Sequence, residues 1–252
     1  MSYQIPVSEQ SAIKAACLLI YQLFLVLASA SQPHEIDEIL QLEGFEHPTF
    51  RLVTGQYEDG KAFPLPPADP KIHRAIIVNN RCNICWLVMK SLLVSLLNSV
   101  NLMIKIDVMI IRPKPHFLLR IDSIKPAIWH TILRITTSEG QFVLDLTGEQ
   151  YGWTGGVFFP LDVYTQRFCE HFDQKYLFRL EELSPITDAS MEKDFVDDPD
   201  HGFWHKAQTH LVDLEREFRS RLPEGAIRRE HLVSKRERRR LVGRLRELVY
   251  RG

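Results

Sequence analysis

The side chains in this chain that could do covalent chemistry lie in three segments: "NNRCNICWLVMKSLL" from residue 79, "WHTILRITT" from residue 129 and "QFVLDLT" from residue 141. A thiol attacks a carbonyl only as the thiolate. A helix N-terminus and a neighbouring imidazolium both lower its pKa. Cys85 follows a polar lead-in and opens an apolar run, so the sequence puts it where a buried helix begins. His130 stands near the start of one expected strand and Asp145 near the end of the next, with "SEG" forming a tight turn between them. An antiparallel hairpin of that form sets the two side by side. A carboxylate there fixes the imidazole tautomer and stabilises the imidazolium formed when the ring takes the thiol proton. The expected chemistry is thiolate attack on a carbonyl and an acyl-enzyme, resolved by an amine (transfer) or by water (hydrolysis).

The order Cys85, His130, Asp145, with Trp86 following the cysteine at the head of a buried helix, resembles the transglutaminase-like branch of the papain-like cysteine enzymes. Arylamine N-acetyltransferases share that order and a similar His-to-Asp spacing. The resemblance covers roughly residues 70–165 and implies Cys85 as nucleophile, His130 as base and Asp145 as orienting carboxylate. It also implies an α+β core in which a nucleophile-bearing helix packs on an antiparallel sheet. Small-molecule acyl donors and amine acceptors would be the partners, and no cofactor is needed. Two departures stand out. No Gly-Gln pair precedes Cys85, and Asn79, six residues ahead, occupies the place of the oxyanion-hole glutamine of papain-like enzymes. Asn79, Trp86, Tyr151 and Trp153 are the expected substrate-binding residues, the last two from the Gly-aromatic loop "GEQYGWTGG".

Other readings of these residues stay open. Free cysteines are among the most buried side chains, so Cys82 and Cys85 could be packing alone, and Cys82 is the alternative reactive thiol. Cys82 and Cys85 as C-x-x-C, with Cys169 and His171 as C-x-H, offer four ligands suited to tetrahedral zinc in a non-catalytic interaction protein. A cysteine leading straight into an apolar helix is unlike the turns that usually hold such metals. His201 and His205 share a helix face, but no H-E-x-x-H carboxylate accompanies them.

Charge is divided unevenly. Ten Lys and Arg against three Glu from residue 226 onward give about +7, so the net −1 of the whole chain leaves about −8 on the remainder. Arg238, Arg239 and Arg240 are the expected contacts to nucleic-acid phosphates. A bound aminoacyl-tRNA would make the acyl donor an activated amino acid, the reaction type of fungal arginine-containing cyclodipeptide synthases. An apolar stripe, Leu241, Val242, Leu245, Leu248 and Val249, instead suits a docked helix with a solvated basic back.

The elements expected to position the site begin with a buried helix from Ser8 to about Ser29. Its lead-in holds Glu9 and only Lys14 as a side-chain cation, which argues against a secretory leader, and its length argues against a membrane span. Residues 31–53 read as a short acidic helix and a turn, "EDGKAFPLPPADPK" as a surface loop and "HRAIIVNN" as an extended approach. After the buried helix, "LMIKIDVMII", "HFLLRIDS", "WHTILRITT" and "QFVLDLT" read as four strands. The chain then turns helical from about Pro160, with an acidic linker at 184–202 and two further helices. Residues 1–190 form the expected core domain and 191–252 a helical, basic extension. Four cysteines without a disulfide-framework pattern suit a reducing, cytoplasmic setting.

Overall fold

The computed structural model describes residues 8–31, 36–54, 68–100, 103–121, 129–179, 201–221 and 234–251. In chain order the elements are α1 (Glu9–Ala30), β1 (Ile36–Leu42), β2 (Thr49–Thr54), α2 (Pro70–Val78), α3 (Cys82–Val100), β3 (Lys105–Pro113), β4 (Leu118–Ile121), β5 (His130–Thr137) and β6 (Gly140–Leu144). A 3-10 turn (Gly148–Tyr151), β7 (Phe158–Pro160), α4 (Leu161–Phe168), β8 (Cys169–Arg179), α5 (His201–Ser220) and α6 (Lys235–Arg251) complete it.

Ser8 caps α1, its side chain accepting the Ser11 N–H at 3.2 Å. α1 and α3 are apolar around most of their circumference, so both must be buried on several sides. Each is long and apolar enough to cross a membrane, yet 67% and 61% of their apolar windows are covered by the rest of the fold. They pack together, and α5 and α6 join the same core through Trp204, Leu211, Leu214, Leu241 and Leu245.

The main sheet has the order β7-β6-β5-β3-β8, with every pairing antiparallel. Its period-2 alternation sorts side chains onto two cores. Val108, Leu133, Ile135 and Leu144 face the helical layer of α1 and α3. Met109, Ile111, Ile132 and Val143 meet Tyr151, Trp153, Tyr164 and Phe168 on the other side. Helices on one face of an antiparallel sheet make this an α+β fold, as expected.

Four local expectations are corrected. Residues 36–54 form a β-hairpin instead of an acidic helix, with Gly44 at φ +81° in its turn. An edge hairpin needs an apolar side only where it touches α2, so its acidic residues can face outward. The segment "HRAIIVNN" is helical in α2. The Asp69 side chain accepts the Lys71 N–H at 2.7 Å, Pro70 takes the first turn, and Ile72, Ala75 and Ile76 are buried at helical spacing. β4 leaves the main sheet and pairs parallel to β2. The helical reading of "CEHFDQKYLFR" gives way to strand β8, which pairs with the second edge of the buried strand β3. Backbone groups on that edge need partners, and this requirement overrides local propensity. Most of the expected acidic linker lies outside the described residues.

Candidate active site

The site is assembled where α3 begins. Asn80 takes a left-handed φ of 56°, reversing the chain after α2. The Cys85 N–H donates to Arg81 O at 2.9 Å, so Arg81 is the cap and Cys82 the first helical residue. The buried Arg81 guanidinium donates to Ala28 O and Ser31 Oγ, both at 2.7 Å, and to Ser31 O, and lies 5.3 Å from the Trp204 ring. Two contacts tie this turn to β5. Thr131 Oγ1 donates to Asn83 Oδ1 at 2.8 Å, and Trp86 Nε1 donates to Thr131 O at 3.2 Å. His130, the next residue back along β5, is thereby held beside the helix start.

The β5–β6 register pairs Leu133 with Leu144, which carries Asp145 opposite Ile132 and onto the same sheet face as His130. His130 Nε2 lies 3.0 Å from Asp145 Oδ1. The same carboxylate accepts the Thr147 N–H at 3.0 Å and the Tyr164 hydroxyl at 2.7 Å. Gly148 allows this, because a Cβ there would fall 2.4 Å from Asp145 Oδ2 and 2.9 Å from the Trp153 ring. Beyond Asp145 the fold leaves a cavity of only about 10 Å³. Tyr151 and Trp153 wall the imidazole edge-on at 5.1 and 5.7 Å.

Charge in this pocket is set by competing effects. Burial works against the imidazolium, but the Asp145 charge and hydrogen bond, with the neighbouring Cys82 thiol, outweigh it and push His130 up to about 9. Burial likewise opposes the Asp145 carboxylate. The His130 charge and the bonds from His130, Tyr164 and Thr147 prevail and hold it below its ordinary range.

Gln150 supplies a further constraint. The Asn80 N–H donates to Gln150 Oε1 at 3.1 Å, which fixes the amide's orientation and turns Nε2 toward His130 Nδ1, also at 3.1 Å. In the neutral ring a donor facing Nδ1 keeps a lone pair there, and the one ring proton sits on Nε2, toward Asp145. That is the tautomer able to receive a thiol proton at Nδ1. The 3-10 turn bearing Gln150 is itself anchored through Glu149, which accepts the Tyr21 hydroxyl at 2.7 Å and pairs with Arg74 at 3.2 Å.

Of the two cysteines in this turn, Cys82, and not the expected Cys85, is the one whose thiol bears on the charge of the His130 ring. Cys85 sits one turn deeper, fully buried in the α1–α3 core, its S–H donating to Cys82 O at 3.1 Å. Burial first, then the nearby Cys82 and Asp145 charges, drives its pKa well above the ordinary thiol value. Cys82 retains 9% of its surface, against none for Cys85 and His130. The sequence puts Cys85 at the helix start because "NNRCN", which includes Cys82, reads as a polar lead-in, whereas the cap is Arg81.

The four expected substrate contacts are placed as follows. Trp86 is buried and clamps α3 to β5, and Tyr151 and Trp153 are buried around the imidazole, with Trp153 Nε1 donating to Lys114 O at 2.8 Å. Asn79 caps α2, its N–H donating to Ile76 O at 3.2 Å, and the side-chain amide at the imidazole is that of Gln150. Gln150 and Tyr164 escaped sequence reading. Gln150 lies inside the quoted loop, and a glutamine between a turn glycine and a buried aromatic was its only signal. No three His, Cys, Asp or Glu side chains gather into a metal-holding cluster among the described residues, and Cys169 and His171 lie on β8, apart from α3. Compared with known proteins, the chain matches no family model, no curated protein and no solved structure.

Proposed function

We propose that this protein is a cysteine-dependent acyl-transfer enzyme with a transglutaminase-like core, in which Cys82 is the nucleophile, His130 the base and Asp145 the orienting carboxylate. The observation that carries the reading is the buried His130 imidazole, bonded to Asp145 through Nε2 and near enough to the Cys82 thiol, at the first position of a helix, for that thiol to affect its charge. An imidazole and a helix N-terminus are the neighbours that thiol nucleophiles use in general. In the proposed reaction the Cys82 proton passes to His130 Nδ1 and the thiolate adds to the donor carbonyl. Collapse of the tetrahedral adduct breaks the bond to the leaving group, which takes the proton from the imidazolium. An amine then gives its proton to Nδ1 as it attacks the thioester, and the thiolate departs. Water in the amine's place gives hydrolysis. Protonation of Nδ1 releases the Gln150 Nε2 donor, which with the Cys82 backbone N–H can face the developing oxyanion.

The donor and acceptor are proposed to be small molecules, with an aminoacyl-tRNA as the alternative donor. All four cysteines are unpaired, which supports a reducing, cytoplasmic setting. The test is trapping. Incubation with an activated ester such as p-nitrophenyl acetate should add one acetyl group to Cys82, seen by intact mass and peptide mapping. Transfer to an added arylamine should then discharge it. Acetylation of Cys85, or of no cysteine, would overturn the reading.

A further inference from the structure

The fold divides the arginines of α6 into two sets. Those turned toward α5 are neutralised: Arg240 pairs with Glu217 and Glu237, and Arg244 with Glu217 and, at 3.3 Å, with Glu247. This corrects Arg240 as a free phosphate contact. Those turned the other way are bare. Lys235, Arg239 and Arg246 are exposed and make no ion pair among the described residues. At 100° per residue these three fall within about 40° of one another on the helix, in one row with Gly243 and Tyr250. Arg239, Gly243, Arg246 and Tyr250 line a groove whose other wall is α1, where Leu25, Val26, Gln22 and Ser29 contribute no acid.

Two features of this groove lack an explanation in folding alone. Tyr250 leaves 59% of its surface in water. Gly243 occupies the interior of a helix, where glycine is unfavourable by about 1 kcal/mol relative to alanine, and nothing lies within 4 Å of where its Cβ would stand. Packing within the protein therefore does not call for glycine, but close approach of a ligand would. The cations rise along the helix by about 6 Å and then about 10 Å. That spacing follows one extended phosphodiester strand, and the row is too narrow to embrace the two backbones of a duplex. The exposed Tyr250 ring at its end offers a stacking platform for a base. The Gln22 and Ser29 side chains on the opposite wall suit sugar hydroxyls, and the 2′-hydroxyl is the group that RNA has and DNA lacks.

We infer that the groove between α1 and α6 binds single-stranded RNA, with Lys235, Arg239 and Arg246 on phosphates of one strand and Tyr250 stacked on a base. This surface lies outside the Cys82 site, and its test does not depend on the acyl-transfer reading. Fluorescence anisotropy with a labelled single-stranded RNA oligonucleotide and the full chain should give a log Kd that depends on log[salt] with a slope of magnitude about 2. The double variant Arg239→Ala/Arg246→Ala should lose about 1.4 of that slope. Tyr250→Ala should weaken binding about tenfold without changing the slope. Arg244→Ala, on the paired side, should bind as the parent does. Unchanged circular dichroism and thermal midpoints establish that each variant is folded. Equal binding by the parent and the double variant would overturn the inference. So would equal affinity for DNA of the same sequence, or stronger residue-dependent binding to phosphatidylserine vesicles than to RNA.

Discussion

Cys82 and Cys85 share one turn of α3, yet they inhabit different chemistry. Cys82 opens the helix, keeps a sliver of exposed surface and neighbours the His130 ring, while Cys85, some 4.5 Å further along, is enclosed by apolar side chains and bonds to a carbonyl. Burial keeps the second a neutral thiol. Reactivity in this segment follows from position relative to the cap and the imidazole. Residue type and order in the sequence are the same for both.

The sharpest way to break that contrast is to remove each sulfur in turn. Cys82→Ala should abolish iodoacetamide labelling of native protein at pH 6–7 and all acyl trapping, whereas Cys85→Ala should leave both intact. The reverse pattern in site-mapped mass spectrometry would assign the chemistry to Cys85. Next in size, His130→Gln should slow Cys82 labelling below pH 7 by on the order of 10²-fold or more, since it removes the base and the neighbouring positive charge. It also removes a pH-dependent stability contribution. A His130 value raised from 6.5 to about 9 makes that contribution complete below 6.5 and progressively lost as pH rises through about 9. The lowered Asp145 value acts at the other end: its contribution is complete above the ordinary carboxylate range and lost as pH falls below it. Urea melts of parent and variant should therefore differ most between about pH 5 and 6.5, by on the order of 3 kcal/mol, and converge toward pH 10. A difference that stays flat with pH would refute the ion-pair account.

A smaller effect is expected at Gly148. Gly148→Ala pushes a methyl into Asp145 and Trp153, so it should cost about 1–3 kcal/mol and slow Cys82 labelling while leaving Cys85 protected. The smallest change is Cys85→Ser. Its hydroxyl can still donate to Cys82 O, so stability should fall by only about 1 kcal/mol and Cys82 labelling should match the parent. Loss of labelling in that variant would mean that the two thiols act together.

The pairing of His130 with Asp145 was legible because a short hairpin fixes register, and register fixes which side chains share a face. The buried helices α1 and α3 were legible from unbroken apolar content. The nucleophile's position was not, because a one-turn uncertainty in a helix start cannot be resolved when the cap is an arginine that binds another helix. Gln150 was hidden for a similar reason. Its roles come from Asn80 and His130, 70 and 20 residues away, and no local pattern records them. The strand identity of β8 depends on β3 having a second edge to satisfy, a requirement that arises only once the sheet exists.

Arg81 joins the end of α1 to the start of α3, with Trp204 of α5 against its guanidinium. The amides around Cys82 cannot open to solvent without releasing the last turn of α1 as well. Their deuterium uptake should therefore rise and fall with that of residues 27–31, as one cooperative unit of exchange. A lesion at the far end of the helical layer, such as loss of the Trp204 ring, would then reach the thiol by loosening the frame that holds it, with no catalytic group touched.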